Sequence, residues 1–356
     1  MQWDRNNVIQ ERTGDPLKII LDAFGGDNAP VETIKGAAMA VAEYGVKMIL
    51  TGDEQEIRCV AGEQGVPLDG IELVHAPQVI PVCAEPTSIM KEYADSSLAV
   101  GLRLLAEGEG DAFVTAGSSG ALVVGASLMV KRIKGIKRAA FAPTIPCVGG
   151  SGNYMLMDSG ANVECRPEML MQFGVMGSAY MNKIMGIERP RVGLINVGVE
   201  ESKGGELQLA AYKLLQKAPV NFVGNVEPRE LPFGACDVAV CDGFSGNIVL
   251  KLTEGVASAF TKQIKGVFMK NLGTKLAAAA VKGGMSEFKK QMDYTEHGGA
   301  ALLGTARPTI KAHGSSNAKA FKNAIRQAKL FAEQDVIGEI ELGLAELKQR
   351  GQELEV

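Results

Sequence analysis

Two glycine-rich loops in the first third of the chain carry residue types that could bind an anion. Asp22 ends an apolar run and is followed by the paired glycines Gly25 and Gly26, which allow a tight turn. The second loop, Thr115-Ala-Gly-Ser-Ser-Gly-Ala-Leu, opens a helical pattern, and N–H groups at a helix start carry partial positive charge. We predict that it binds phosphate through its small residues, which are Gly117, Ser118, Ser119 and Gly120.

Later loops add compact polar side chains, again at the ends of apolar runs. Lys203 lies between a serine and two glycines, where an ammonium could stabilise phosphate or a developing oxyanion. His313 could bind substrate or donate a proton, although a single histidine or loop lysine is more often structural. No Ser–His–Asp or Cys–His set is evident, so the loops predict a broad polar cleft rather than one activated nucleophile. Its other candidate residues are Asn225, Glu227, Asp242, Ser245 and Asn247.

Short apolar runs alternate with helical patterns and would position these loops. This alternation predicts an α/β fold whose mostly parallel sheet has helices on both faces. In such sheets ligands bind beyond the carboxyl ends of the strands, where the polar loops lie. The predicted strands are 17–21, 46–50, 71–74, 112–115, 139–145, 154–157, 192–195, 220–223 and 238–241. The predicted helices include 31–44, 96–107, 121–131, 167–185, 206–216 and 317–331.

The chain divides into three predicted regions. Residues 1–16 form a flexible extension, residues 17–335 an α/β domain, and residues 336–356 a C-terminal helix or tail. Within the domain, residues 255–292 read as a basic amphipathic helical segment with seven lysines and one acid, Glu287. A helical pair that covers the core, a dimer interface and a surface for anionic lipid all fit that pattern.

Composition excludes several classes of protein. The net charge of −4 over 356 residues gives no overall basic field, so we expect no nucleic-acid partner. Six scattered cysteines form no C-x-x-C pair, which favours reduced thiols and a cytoplasmic location and disfavours a zinc ribbon. No apolar run is long enough to span a membrane. Nucleotide and dinucleotide loops and the zinc-protease motif are missing, so we expect no cofactor and no metal.

The order of the polar motifs resembles that of the PlsX family, the bacterial phosphate acyltransferases of phospholipid synthesis. The similarity extends over roughly residues 17–335, and seven ordered motifs are far more specific than any one glycine loop. The motifs are Leu-Asp-Ala-Phe-Gly-Gly-Asp-Asn-Ala-Pro, Thr-Ala-Gly-Ser-Ser-Gly-Ala-Leu, Met-Asp-Ser-Gly-Ala-Asn, Asn-Val-Gly-Val-Glu-Glu-Ser-Lys-Gly, Gly-Asn-Val-Glu, Asp-Gly-Phe-Ser-Gly-Asn and Ala-His-Gly-Ser-Ser.

The resemblance implies a fold like that of phosphotransacetylases and isopropylmalate dehydrogenases. It implies conversion of acyl–acyl carrier protein and inorganic phosphate into acyl phosphate and free carrier protein, without a redox cofactor. It also implies a homodimer, peripheral association with an anionic membrane, and a downstream glycerol-3-phosphate acyltransferase. Catalytic roles are expected for Lys203, Asn225, Asp242 and His313. The motifs add Asn162 and Ser315 to the expected phosphate and substrate ligands, beside the loop residues named above.

Three alternatives remain open at this point. A phosphotransacetylase-like enzyme that uses acyl-CoA would share the same phosphate and thioester chemistry. A decarboxylating dehydrogenase on a related fold would need a nicotinamide site and a metal-binding acid cluster, and the sequence offers neither convincingly. A membrane scaffold without catalytic activity would use residues 255–292 and would tolerate substitutions in the glycine loops.

Overall fold

A computed structural model of the chain describes residues 16–291 and 298–353, so the predicted extension lies almost wholly outside the described residues. The strands are β1 (Lys18–Asp22), β2 (Lys47–Gly52), β3 (Ile71–His75), β4 (Ala112–Thr115), β5 (Ala140–Pro146), β6 (Asn153–Met157), β7 (Arg191–Ile195), β8 (Asn221–Val226), β9 (Val238–Val240), β10 (Ala300–Leu303) and β11 (Thr309–Lys311). The helices are α1 (Val31–Tyr44), α2 (Glu54–Gln64), α3 (Ser97–Glu107), α4 (Ser119–Gly125), α5 (Pro167–Met185), α6 (Glu206–Lys217), α7 (Gly243–Phe268), α8 (Leu272–Gln291), α9 (Ala318–Glu333) and α10 (Val336–Glu353).

Eleven strands form one sheet in the order β3-β2-β1-β4-β11-β10-β5-β6-β9-β7-β8. Strands β1 to β4 and β11 are parallel, and β10 is antiparallel to both β11 and β5. β5 and β6 are antiparallel, whereas β6, β9, β7 and β8 run parallel to one another. The sheet therefore has two parallel parts that run in opposite directions, β1 to β4 with β11 and β6 to β9, and the strands β10 and β5 join them.

Alternating apolar residues explain why helices cover both faces. In β1, Ile19 and Leu21 belong to one buried cluster, whereas Ile20 belongs to a second cluster on the other face. In β6, Met155 and Met157 point into the first cluster and Leu156 into a third. Side chains alternate between the faces of a strand, so a strand that is apolar at every position must be buried on both sides.

The predicted strands are all present, with ends that differ by three residues or fewer. The predicted helices are present too, but that at 121–131 is a seven-residue α-helix, α4, continued by a π-helical turn over 126–130. β10, β11 and α2 were not predicted. All six cysteines are unpaired thiols. α10 packs on α5, and its residues Val336 and Ile340 are fully buried in the main core.

The basic segment forms a pair of helices, α7 and α8, that stands away from the sheet. Gly243 and Gly246, in the first turn of α7, are buried, and the rest of the helix is partly or fully exposed. The expectation that such a pair covers the core of its own chain is wrong, because large apolar side chains along it face solvent. The side chains of Glu287, Lys289 and Lys290 lie outside the described residues.

Candidate active site

The reversal of strand direction divides the polar loops between two edges of the sheet. Loops after β1, β4 and β11 lie at what we call the first edge, and those after β6, β7, β8 and β9 lie at the opposite, second edge. The polar loops therefore do not all follow strands that end at the same edge, and the predicted broad polar cleft stays a prediction. This division follows from the antiparallel β5–β6 pair, which reverses the direction of the second half of the sheet.

A buried acid organises the first edge. The Asp22 carboxylate accepts hydrogen bonds from the Thr115 hydroxyl at 2.7 Å and from the backbone N–H of Phe24 at 3.2 Å. Thr115 Oγ1 in turn accepts from the N–H of Gly117 at 2.9 Å, so the two anion-binding loops are joined. Burial raises the pKa of Asp22, although these hydrogen bonds oppose the rise.

Close approach of the two loops requires glycine at position 25. A Cβ atom there would lie 2.5 Å from the Asp22 carboxylate and 2.7 Å from Thr115 Oγ1. It would also lie 2.8 Å from the backbone nitrogen of Gly117. Gly26 has φ of +112°, a conformation that side-chain-bearing residues rarely adopt.

Lys311 is the functional candidate that the sequence analysis missed. It ends β11, and its ammonium donates to the carbonyl oxygens of Ala312 at 2.6 Å and Ala116 at 3.2 Å. Burial lowers its pKa to about 8, an effect that nearby Asp22 and Asp27 oppose. Within the described part of the chain, Lys311 forms no ion pair within 4 Å, so its positive charge is available to an anion at this edge.

The loop after β11 is fastened to the loop after β1. The Asn28 amide donates to the carbonyl of Ser315 at 3.2 Å, and the N–H of Asp27 donates to the carbonyl of Gly314 at 2.8 Å. His313 is exposed, and its Nδ1 lies 2.8 Å from the hydroxyl of Ser315. His313 and Ser315 thus join Lys311 at the first edge.

Ser118 and Ser119 differ in what their side chains can do. Ser118 is buried, and its hydroxyl caps α4 by accepting from the N–H of Ala121. Ser119 is exposed at the start of α4, next to the partly buried Gly120. Because α4 has only seven residues, Lys311 rather than a helix dipole supplies the stronger positive charge here.

At the second edge, hydrogen bonds within the protein occupy several predicted ligands. Asp158 is fully buried and accepts from the N–H groups of Phe141, Gly160, Ala161 and Asn162. The Asn162 side chain donates to Asp158 and to the carbonyl of Ala139. Asp242 caps α7 through the N–H and hydroxyl of Ser245, and Asn247 lies against Gly160.

The remaining predicted residues form the outer part of the second edge. Lys203 is exposed in the loop after β7. Asn225 is buried and donates to the carbonyl of Glu200 at 2.8 Å, while its side-chain oxygen has no hydrogen-bond partner. Glu227 forms an ion pair with Arg229 at 2.7 Å. Of this group, Asn225 keeps an unused buried acceptor that a ligand could satisfy.

Among residues 16–291 and 298–353, no three His, Cys, Asp or Glu side chains are grouped so as to hold a metal ion. In the same part of the chain, no helix combines the length and apolarity that crossing a membrane requires.

Known proteins resemble the chain closely. A family model described as fatty acid synthesis protein matches residues 17–339. The phosphate acyltransferase of Alkaliphilus oremlandii is 46% identical over 331 residues, which cover 93% of this chain and 98% of that protein. That of Thermoanaerobacter pseudethanolicus is 45% identical and is matched over its whole length and 96% of this chain. The chain belongs to the phosphate acyltransferase family. The prediction of an acyltransferase is thereby confirmed.

Solved structures with the same fold include phosphotransacetylases. The Streptococcus pyogenes phosphotransacetylase superposes with a TM-score of 0.61 at 18% identity, covering 90% of this chain and 94% of that one. The EutD phosphotransacetylase of Staphylococcus aureus gives 0.58 at 19% identity, with 92% and 97% covered. At such identities the likeness speaks for the fold alone, and it confirms the predicted fold class.

Proposed function

We propose that this phosphate acyltransferase uses acyl–acyl carrier protein as its acyl donor and carries out the transfer at the first edge. A phosphate oxygen attacks the thioester carbonyl carbon, a C–O bond forms, and the C–S bond breaks. The products are acyl phosphate and the carrier thiol, which takes up a proton. The proposal is supported by family membership together with the position of Lys311 beside two glycine loops.

No activated side-chain nucleophile is needed for this reaction. Phosphate at neutral pH is itself a nucleophile, and a thiol with a pKa of roughly 8–9 leaves readily. The protein has to orient two reactants and stabilise charge, and orientation alone can supply about 7–11 kcal/mol in favourable cases. In this proposal Lys311 and the loop 115–120 bind phosphate, and Asp22 holds that loop in place. His313 gives the leaving thiolate its proton.

In this reaction, residues of the second edge bind the acyl donor and hold the loops around it. Lys203 is a candidate ligand for the phosphorylated arm that carries the thioester, together with the buried Asn225, which is hydrogen-bonded to Glu200 of the same loop. Asn162, Asp242 and Ser245 act by holding the loops and the start of α7. Glu227 and Asn247 complete the polar rim of this edge.

An assay with purified protein, inorganic phosphate and acyl–carrier protein tests the reaction directly. We expect acyl phosphate and free carrier thiol in equal amounts, with no product when phosphate is omitted. Acyl-CoA of the same chain length serves as the competing donor. A higher kcat/KM on acyl-CoA would replace the carrier protein as donor while leaving phosphate as acceptor.

We also propose that the turn between α7 and α8 binds anionic membrane. Met269, Leu272 and Leu276 are 51%, 75% and 67% exposed there, and Lys270 and Lys275 are interspersed with them in the sequence. Each lysine near an anionic surface contributes about 1 kcal/mol, so binding should be reversible and weakened by salt. Such a location would deliver acyl phosphate to a glycerol-3-phosphate acyltransferase at the cytoplasmic face.

Vesicle co-sedimentation tests the membrane proposal. Met269→Ser combined with Leu272→Ser should abolish salt-sensitive pelleting with anionic vesicles. Leu342→Ser is the matched control, because Leu342 is 67% exposed but lies on α10. Phe268 is a poorer target, since it is only partly exposed and faces α8. Unchanged pelleting of the double variant would contradict the proposal.

We also propose that the protein forms a homodimer through α7. Exposed apolar residues recur every four positions along this helix, a spacing that forms a continuous row inclined to the helix axis. They are Phe244, Ile248, Leu252, Val256 and Phe260, each at least 44% exposed. A second copy would bury this row. Leu252→Glu should therefore shift the protein from dimer to monomer in light scattering, and an unchanged mass would argue against this interface.

A further inference from the structure

A large apolar pocket lies between α7, α8 and the carboxyl end of β5. Its volume is about 1010 Å³, at the upper end of the roughly 300–1,000 Å³ typical of small-molecule sites. α7 lines it with side chains three or four positions apart, which share one face of the helix. The residues that matter most for its shape are Leu250, Ala257, Ile264, Phe268, Ala278 and Val281.

One part of the pocket adjoins the first edge of the sheet. Ile145, Pro146 and His313 line it there. His313 is two positions beyond Lys311, whose ammonium donates to the intervening carbonyl of Ala312 at 2.6 Å. A ligand in the pocket can therefore present a polar end group to the proposed phosphate site.

The pocket is elongated along α7. From Leu250 to Phe268 the helix rises by about 27 Å at roughly 1.5 Å per residue. Phe268 and Met269 line the far part, beside the turn that joins α7 to α8. Small side chains at Ala257 and Ala278 leave room between the two helices. The space thus fits a long, flexible apolar ligand better than a compact one.

We infer that this pocket binds the acyl chain of the thioester substrate and sets the chain length that the enzyme accepts. The inference rests on the proposed function, and it adds the site that receives the apolar part of the substrate. The thioester carbonyl lies at His313 and the methyl end points towards the turn between α7 and α8. The acyl phosphate product occupies the same pocket until it leaves.

Filling the pocket should change selectivity for chain length without harming the chemistry. Ala257→Leu and Ala278→Leu add apolar volume at partly buried positions that line the pocket. Each displaced methylene lowers affinity about fourfold, so kcat/KM for a 16-carbon acyl donor should fall at least about tenfold. With a 4-carbon donor, which does not reach these positions, kcat/KM should change less than about twofold.

Neighbouring alanines provide matched controls. Ala259 and Ala279 are exposed and do not line the pocket, so Ala259→Leu and Ala279→Leu should keep the wild-type profile. Leucine favours helix as alanine does, so all four variants should fold alike. A chain-length profile shared by pocket and control variants would overturn the inference.

A binding measurement separates this inference from the proposed reaction. A fluorescent 16-carbon fatty acid should bind the wild-type protein and both control variants. It should bind Ala257→Leu and Ala278→Leu at least about tenfold more weakly. Equal binding to all five proteins would refute the pocket even if acyl phosphate forms. Selective binding without acyl-phosphate formation from any donor would refute the reaction and leave the pocket in place.

Discussion

Replacing Lys311 by methionine isolates the charge that we assign to phosphate binding. Methionine has a similar length but no ammonium, so the variant fills the same space without charge. The fall of the lysine pKa from 10.5 to about 8 corresponds to a cost of about 3 kcal/mol for holding the ammonium in the folded protein. The wild type bears that cost at neutral pH and the variant does not.

The sign of the pH dependence follows from proton binding. Between about pH 8 and pH 10.5 this lysine binds more protons in the unfolded chain than in the folded one. Wild-type stability therefore gains with rising pH across that window, and the variant lacks this gain. The free energy of unfolding of wild type minus that of the variant should rise by about 2 kcal/mol between about pH 7 and about pH 9.5.

Urea unfolding at several pH values measures this difference. Lys47→Met is the control, because Lys47 is exposed at the start of β2, at the end remote from the first edge. Loss of the two hydrogen bonds to carbonyls shifts every point by the same amount and does not alter the slope. A difference that stays constant with pH would show that the Lys311 ammonium is solvated.

Activity provides the second readout for Lys311→Met. Loss of a charge that stabilises the transition state costs roughly 100-fold or more in turnover. We expect that loss in kcat/KM for phosphate, with acyl-donor binding retained. Sulfate, whose charge is constant above neutral pH, should bind the wild-type protein more weakly as the pH rises through about 8, because Lys311 loses its positive charge there. Normal turnover of the folded variant would remove Lys311 from the site.

Three further substitutions test the two edges. Gly25→Ala places a Cβ atom 2.5 Å from the Asp22 carboxylate. Turnover should therefore fall at least about tenfold, and the free energy of unfolding should fall by about 1–3 kcal/mol. Unchanged values would mean that the loop relaxes freely. Lys203→Ala should lower acyl-phosphate formation at least about tenfold, equivalent to about 1.4 kcal/mol; near-normal turnover would restrict the chemistry to the first edge. Ser118→Ala removes the cap of α4 and should cost about 1 kcal/mol in urea unfolding, unless another group caps the helix.

The sequence was sufficient to predict most of the sheet but not its reversal. Runs such as Ile19–Leu21 are apolar at every position, which indicates strands buried on both faces. The connection 147–152 contains three glycines, a pattern typical of a turn between antiparallel strands. This pattern indicates the antiparallel β5–β6 pair. β10 and β11 escaped prediction because they have only four and three residues and owe their conformation to pairing with distant strands.

The site was only partly predictable for a related reason. Glycine loops are visible as local patterns, so Gly25 and the loop 115–120 could be named in advance. Lys311 has no local motif, since a lysine that ends a strand is common. Its contact with the carbonyl of Ala116 joins residues 195 positions apart, and the burial that lowers its pKa exists only in the folded chain.

The place of β10 and β11 in the sheet has a consequence for synthesis of the protein. These last strands lie between β4 and β5, so the sheet lacks two central strands until the ribosome has made β10 and β11. Until then β4 and β5 each present an unpaired edge, and such edges readily pair with other chains. Premature termination before Ala300 should therefore yield aggregates, and a nascent chain should need protection until β11 has emerged.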